Sequence, residues 1–328
     1  MAFLTDARGV MLSDQASLQF AQSNMTYVEP GVYRQRFQNA DYGRHLTVTT
    51  AGPQWAATAT WQTMGEAGEA EWFSGNATDA PYVEVTMDQH NSPNYGIWSG
   101  FKWTVEELNQ ALLANVNMSN EKPMVARRKV ERKLYKVAMT GDTTNKGAAF
   151  TGLINDGTVT AYDVAATGTG SSTLWNVKTP DQILYDVNTL LGGIQTATAE
   201  VEYADTLRLP PSAFRYISSA RIGSDSSMTI LEFLRRNNVY TAETQQPLDI
   251  GTIVELESAS DEGEGRMIAY RNAPDVVDFW LPMPFQLLPV RSRSIMSFEG
   301  AGIARTGGTR IKLPAAIRYA DRITDPTP

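Results

Sequence analysis

Apolar and polar positions change their period several times along the chain, and each change predicts a different element. Residues 1–50 carry many Asn, Gln and Arg with few periodic apolar positions, and Pro30-Gly31 marks a turn. This predicts an extended arm that finds its partners on other surfaces. Residues 51–100 switch to a strand-like pattern with Trp55, Trp61, Trp72 and Trp98 among many Thr and Ala. In YVEVTM, Val83, Val85 and Met87 point one way while Tyr82, Glu84 and Thr86 point the other. Between the strands lies the acidic, glycine-bearing GEAGEAEW, which contains Glu66, Glu69 and Glu71. The segment reads as a long two-stranded excursion. An isolated hairpin is marginal in water, so a long one needs a surface to rest on, and a second subunit is the natural candidate.

From residue 104 the period becomes helical. Ala126, Val130, Leu134 and Val137 share one stripe, with Arg128, Lys129, Arg132, Lys133 and Lys136 on the other side. Pro123 is expected in the first turn of this helix, and Gly141 is expected to end it in a left-handed cap. TPDQ at 179–182 predicts a second start: Thr179 as cap, proline first, and Gln182 closing a capping box. Ile183, Leu184, Val187, Leu190, Leu191 and Ile194 form its core stripe. SMTILEFLRRNN predicts a third helix capped by Ser227. Strands follow in TIVELE, RMIAYR, VVDFWL, RSIMSFE and TRIKLPAAIRY. Helices and strands in runs, rather than strict alternation, predict an α+β fold and not a doubly wound parallel sheet.

Composition narrows the function. The 328-residue chain has a formal net charge of -8, so any attraction to a polyanion has to be local, as on the basic helix face. A solvated helix face is the plain alternative there. No run reaches the roughly 20 apolar residues of a membrane span. With no cysteine, disulfides and thiolate chemistry are excluded. The two histidines, His45 and His90, lie in no recognisable catalytic or zinc motif and read as ordinary surface or edge residues. Neither GTGSST nor GAGIARTGG has phosphate-loop or dinucleotide spacing. Asp261, Glu262 and Glu264 read as a solvated hairpin tip, since the alternating ligand pattern of a calcium loop is missing. No catalytic residue, metal ligand or cofactor site is predicted.

The order of parts resembles the major capsid proteins of tailed bacteriophages, with the Hong Kong 97-type fold. The residues that carry the resemblance are distributed. They are the irregular arm, DAPYVEVTMD at the end of the excursion, and WTVEELNQALLANVN leading into the long helix. VAMTGDTTNKGAAFTGLIND, TPDQILYDVNTLLGGI and GGTRIKLPAAIRYADRI complete the set. The resemblance implies an N-terminal arm over 1–50, an extended loop over 51–100 and a peripheral domain with a spine helix over 101–180. It implies an axial domain over 181–290 and return strands to the peripheral domain over 291–328. It also implies a shell protein of the virion, assembled in a bacterial cytoplasm as hexamers and pentamers around double-stranded DNA. Separate scaffolding, portal and decoration proteins are its implied partners, with no membrane. Scaffolding is expected as a separate protein because the chain runs from Met1 straight into the arm. The first lysine is Lys102, so an isopeptide weld from a lysine in the extended loop is excluded.

On that reading, Glu66, Glu69 and Glu71 of one copy are expected to meet Arg128, Arg132 and Lys136 of a neighbour. The competing use of that helix face is non-specific contact with packaged DNA. An encapsulin-like compartment shares the architecture and takes a protein cargo. A soluble hydrolase or sugar-binding protein would instead be a compact monomer or small oligomer with a ligand pocket.

Overall fold

The computed structural model describes residues 41–72, 82–113, 118–144, 150–223 and 226–325. Most of the expected arm, the far end of the excursion and residues 145–149 lie outside the described residues. In chain order, β1 (Thr47–Thr49), β2 (Thr58–Ala67), β3 (Glu84–Pro93) and β4 (Tyr95–Thr104) lead into helices α1 (Val105–Leu113) and α2 (Met118–Met139). Next come β5 (Thr160–Asp163), α3 (Pro180–Ala197), β6 (Thr206–Leu209), α4 (Pro211–Ser219), α5 (Ile230–Arg236) and α6 (Val239–Thr244). The strands β7 (Asp249–Thr252), β8 (Met267–Tyr270), β9 (Val277–Trp280) and β10 (Met283–Leu287) follow. The last four are β11 (Arg291–Ser294), β12 (Ser297–Thr306), β13 (Gly308–Ile311) and β14 (Ile317–Asp321).

A five-stranded sheet in the order β5-β14-β8-β6-β7 is the wall between two hydrophobic cores. The strand period of two does this directly. On β8, Ile268 and Tyr270 join the first core, while Met267 and Ala269 join the second. On β14, Ile317 and Tyr319 go to the first and Ala320 to the second. The second core is completed by α3, whose Ile183, Val187, Leu190, Leu191 and Ile194 are buried as their spacing predicts. Its capping box is present: Thr179 accepts from the Gln182 backbone, and the Gln182 side chain accepts from the Thr179 N–H. The closing strand β14 lies inside this wall, parallel to β5 and antiparallel to β8.

The first core packs α2 against two further sheets, β1-β9-β13 and β4-β12 with β10 and β11. Ala126, Val130, Leu134 and Val137 are buried, as the stripe predicts. The helix ends at Gly141, which has φ +73°. A Cβ there would sit 1.9 Å from the Phe150 carbonyl oxygen. The chain then returns so closely that a Cβ on Gly152 would lie 2.1 Å from the Met139 oxygen. Leu153 and Ile154 N–H groups donate to Ala138 and Met139, and Asn155 Nδ2 donates to the Thr140 carbonyl at 2.8 Å. The GLIND stretch therefore satisfies carbonyls that a helix end leaves orphaned.

Several local expectations change. Helix α2 starts at Met118, so Pro123 lies beyond its first turn. Helix α5 is capped by Thr229 rather than Ser227, because the Thr229 side chain accepts from the Glu232 N–H. TIVELE is only partly a strand: β7 stops at Thr252 and a 3-10 turn spans Val254–Ser258. RSIMSFE straddles a tight turn at Ile295-Met296 between β11 and β12. Residues 41–50, read as arm, are built into the first core through Leu46 and through β1, which pairs parallel with β9. His45 is buried, not a surface residue, and burial with Arg208 and Arg44 nearby lowers its pKa to about 4.

Candidate functional site

The excursion is an antiparallel hairpin of two ten-residue strands, β2 and β3, that among the described residues pair only with each other. The register sets Met64 opposite Met87 and Glu66 opposite Val85, so these four share one face. Met64, Val85 and Met87 are exposed, as are Tyr82 and Val83 beside them. Trp61 stacks on His90 on the other face, with ring centroids 5.5 Å apart. Trp72, Glu69 and Glu71 lie beyond β2, all exposed, and Trp72 is fully so. Among the described residues, Glu66, Glu69 and Glu71 make no ion pair or side-chain hydrogen bond.

The base of the hairpin is fastened. Asn94, the single residue between β3 and β4, is buried and its Nδ2 donates to the Ala56 carbonyl at 2.8 Å. Ser92 Oγ donates to the Gly307 carbonyl at 2.7 Å, and Arg305 Nη2 donates to the Asn94 carbonyl at 3.0 Å. The Arg310 guanidinium lies over Trp61, 5.6 Å from its centroid. One end is therefore held by contacts to the turn between β12 and β13, while Met64, Val85 and Met87 farther along the shaft are exposed among the described residues.

The basic face of α2 is partly committed. Arg128, Lys129 and Lys136 are exposed. Arg132 is half-buried and engaged within the chain. Lys133 pairs with Asp142 just past the helix end, and with Thr144 this holds the Asp142 pKa down at about 2. Arg127 lies 3.9 Å from Glu131. Within the chain, the hairpin glutamates are not brought to this face.

A second basic surface was not legible in the sequence. It lies on the sheet face turned away from α2. Trp103 and Ala304 point into the protein, so by alternation Trp98, Gly100 and Lys102 on β4 and Glu299, Ala301 and Ile303 on β12 point out. The register sets Gly100 opposite Ala301 as a floor of small residues, and Lys102 opposite Glu299. Leu288, Pro289 and Arg291 form the far wall of a trough of about 670 Å³. Trp98 is 73% exposed beside it. Only the strand register brings these residues together, which is why no linear motif announces them.

Other sequence candidates have structural roles. Arg322 bonds Glu262 at 2.6 Å and approaches Glu264 at 3.1 Å, so the guanidinium of the chain's own arginine faces the acidic turn. Lys178, Asp186 and Trp175 form a buried network, with Lys178 Nζ 2.6 Å from Asp186. Among the described residues, no group of three or more His, Asp or Glu is placed to hold a metal. No described helix is long and apolar enough to cross a membrane.

Comparison with known proteins gives one consistent answer. The family model described as "Major capsid protein" matches residues 68–323. The capsid of Myoviridae phage XM1 superposes with a TM-score of 0.75 at 18% identity, covering 92% of this chain and 98% of that one. A chain from Mycobacterium phage Adephagia gives 0.61 at 13% identity over 97% and 100% of the two chains. One from Mycobacterium phage Ogopogo gives 0.59 at 11% over 94% and 99%. No curated protein matches.

Proposed function

The chain belongs to the major capsid protein family, the structural proteins of icosahedral virions, and on that footing we propose that it assembles through hexamers and pentamers around double-stranded DNA. The observation that carries this reading is the hairpin. It is fastened at its base and exposes Met64, Val85 and Met87, a surface that water disfavours and that another copy can cover. Fully burying each of these side chains contributes about 1.5–3 kcal/mol. Association itself costs about 4–15 kcal/mol in lost freedom, so one hairpin makes a weak contact and closure of the shell multiplies it.

The same reading assigns 101–180 to a peripheral domain with α2 as its spine and 181–290 to an axial domain. The two cores support two lobes, joined through the β5-β14-β8-β6-β7 wall. It also places the acidic end of the hairpin on a basic surface of a second copy. Arg128, Arg132 and Lys136 are one such surface, whose other use is contact with the packaged DNA. Exposed ion pairs contribute only about 0–1 kcal/mol each, so they set register rather than supply the bulk of the stability.

The test is purification of the assembled protein, light scattering, and electron microscopy of the particles with analysis of their contents. Closed icosahedral shells that enclose double-stranded DNA are expected. A protein that stays monomeric in the presence of its scaffolding protein and crowding agents, or shells filled with a protein cargo, would overturn the reading.

A further inference from the structure

We propose that the trough between Trp98 and Leu288 is the seat for the acidic end of a second copy's hairpin, with Trp72 entering it and Lys102 and Arg291 meeting Glu69 and Glu71. The proposal rests on the shell reading above and names the surface that reading leaves open. Three observations carry it.

The first is chemical match. The trough has an apolar wall at Trp98, Leu288 and Pro289, a floor of Gly100 and Ala301, and a rim with two cations. Glu299, the one carboxylate on that rim, lies 3.6 Å from Arg293 and so is already balanced. The hairpin end offers the complement: a fully exposed indole beside two carboxylates that lack partners. Indoles are favoured anchors for such pockets because they bury a large area with few rotors to order.

The second is reach. Ten-residue strands at about 3.3 Å per residue carry the hairpin end roughly 33 Å from its base. The base joins the trough's own strand through Asn94 alone. The shaft residues Met64, Val85 and Met87 are exposed, so the hairpin does not fold back over its own sheet. A hairpin entering the trough therefore comes from another copy.

The third is the contrast with α2. The helix sets its cations beside a smaller cleft. Its cleft beside Pro123, Met124, Arg127, Phe285 and Leu287 is about 290 Å³, less than half as large. On this assignment the exposed cations Arg128, Lys129 and Lys136 are left to the polyanion.

The experiment places p-benzoylphenylalanine at position 72 and assembles particles from an equal mixture of isotopically light and heavy protein. After irradiation, light–heavy crosslinked peptides are expected to contain residues 98–102 or 287–291. Crosslinks confined to 124–136, to the arm, or to the same copy would overturn the proposal, as would intact particles with no crosslink to the trough. Failure of the wild-type protein to form particles would instead sink the shell reading. A charge swap gives a second readout. Glu69→Lys with Glu71→Lys is expected to lower particle yield about tenfold, with recovery on adding Lys102→Glu and Arg291→Glu. Recovery with Arg128→Glu and Lys136→Glu instead would move the seat to α2.

Discussion

The five-stranded wall and the β2–β3 hairpin are both built from ordinary strand residues, yet they hold their free energy in different places. Every residue of β6 and β8 is buried; alternate side chains of β8 serve two cores, and Leu207 and Leu209 of β6 join the second. In β3 eight of ten positions are exposed, Val85 and Met87 among them, so that strand adds little to the isolated subunit. Hydrophobic residues in the wall stabilise the fold. The same residue types in the hairpin are left exposed by the subunit, where the proposed contact with a second copy would bury them. A substitution should therefore be read by where its surface becomes buried, within one copy or between copies.

The sharpest break of this comparison is at the close approach between the α2 end and the GLIND return. Gly152→Ala places a Cβ 2.1 Å from a backbone oxygen, where no flexible side chain can move aside. A loss of about 3 kcal/mol or more is expected, read as a lower denaturant midpoint of the subunit or as insoluble protein. Next is Leu190→Ala on the fully buried face of α3, expected to cost about 2–5 kcal/mol by the same measurement. An unchanged midpoint would mean that the second core does not hold the free energy its burial implies.

Titration of the buried His45 gives a smaller effect with a defined sign. Its pKa falls from 6.5 to about 4 on folding, so between those values the unfolded chain binds a proton that the folded chain does not. Its contribution is complete above about pH 6.5 and lost as pH drops to about 4, on the order of 2 kcal/mol after allowance for solvent. Chemical denaturation of wild type and His45→Gln across that range should show the slope in the first and a flatter profile in the second. The smallest effect sharpens the hairpin's side of the comparison. Met87→Ala is expected to change subunit stability by no more than about 0.5 kcal/mol while lowering particle yield. A large midpoint shift would mean that the hairpin packs on its own chain in solution.

Much of the fold was legible because the governing interactions are local. Spacing placed the buried stripes of α2 and α3, and TPDQ placed a capping box. Alternation in YVEVTM sorted the hairpin's faces, and Gly141 marked a helix end. What was missed depended on pairing across long separations. The partition of β8 and β14 between two cores follows from sheet order, which no window of sequence contains. The same holds for the trough, where Trp98 meets Ile303 and Lys102 meets Glu299 only through register. Burial of His45 depends on Tyr270, 225 residues away, whose hydroxyl donates to its carbonyl. One miss was avoidable. Thr229 and Glu232 have the spacing of a capping box, and that signal outranks Ser227.

The position of β14 carries a consequence for synthesis. This strand comes after all the others in sequence, yet it fills the gap between β5 and β8 and contributes to both cores. While residue 321 is still in the ribosomal tunnel, β5 has no neighbour and neither core can be sealed. A nascent chain in that condition also lacks the fastened base of its hairpin, because Arg305, Gly307 and Arg310 come shortly before β14 in sequence. On a polysome, where many copies are crowded together, premature capture of one copy by the next is thus opposed by the order in which the chain is made.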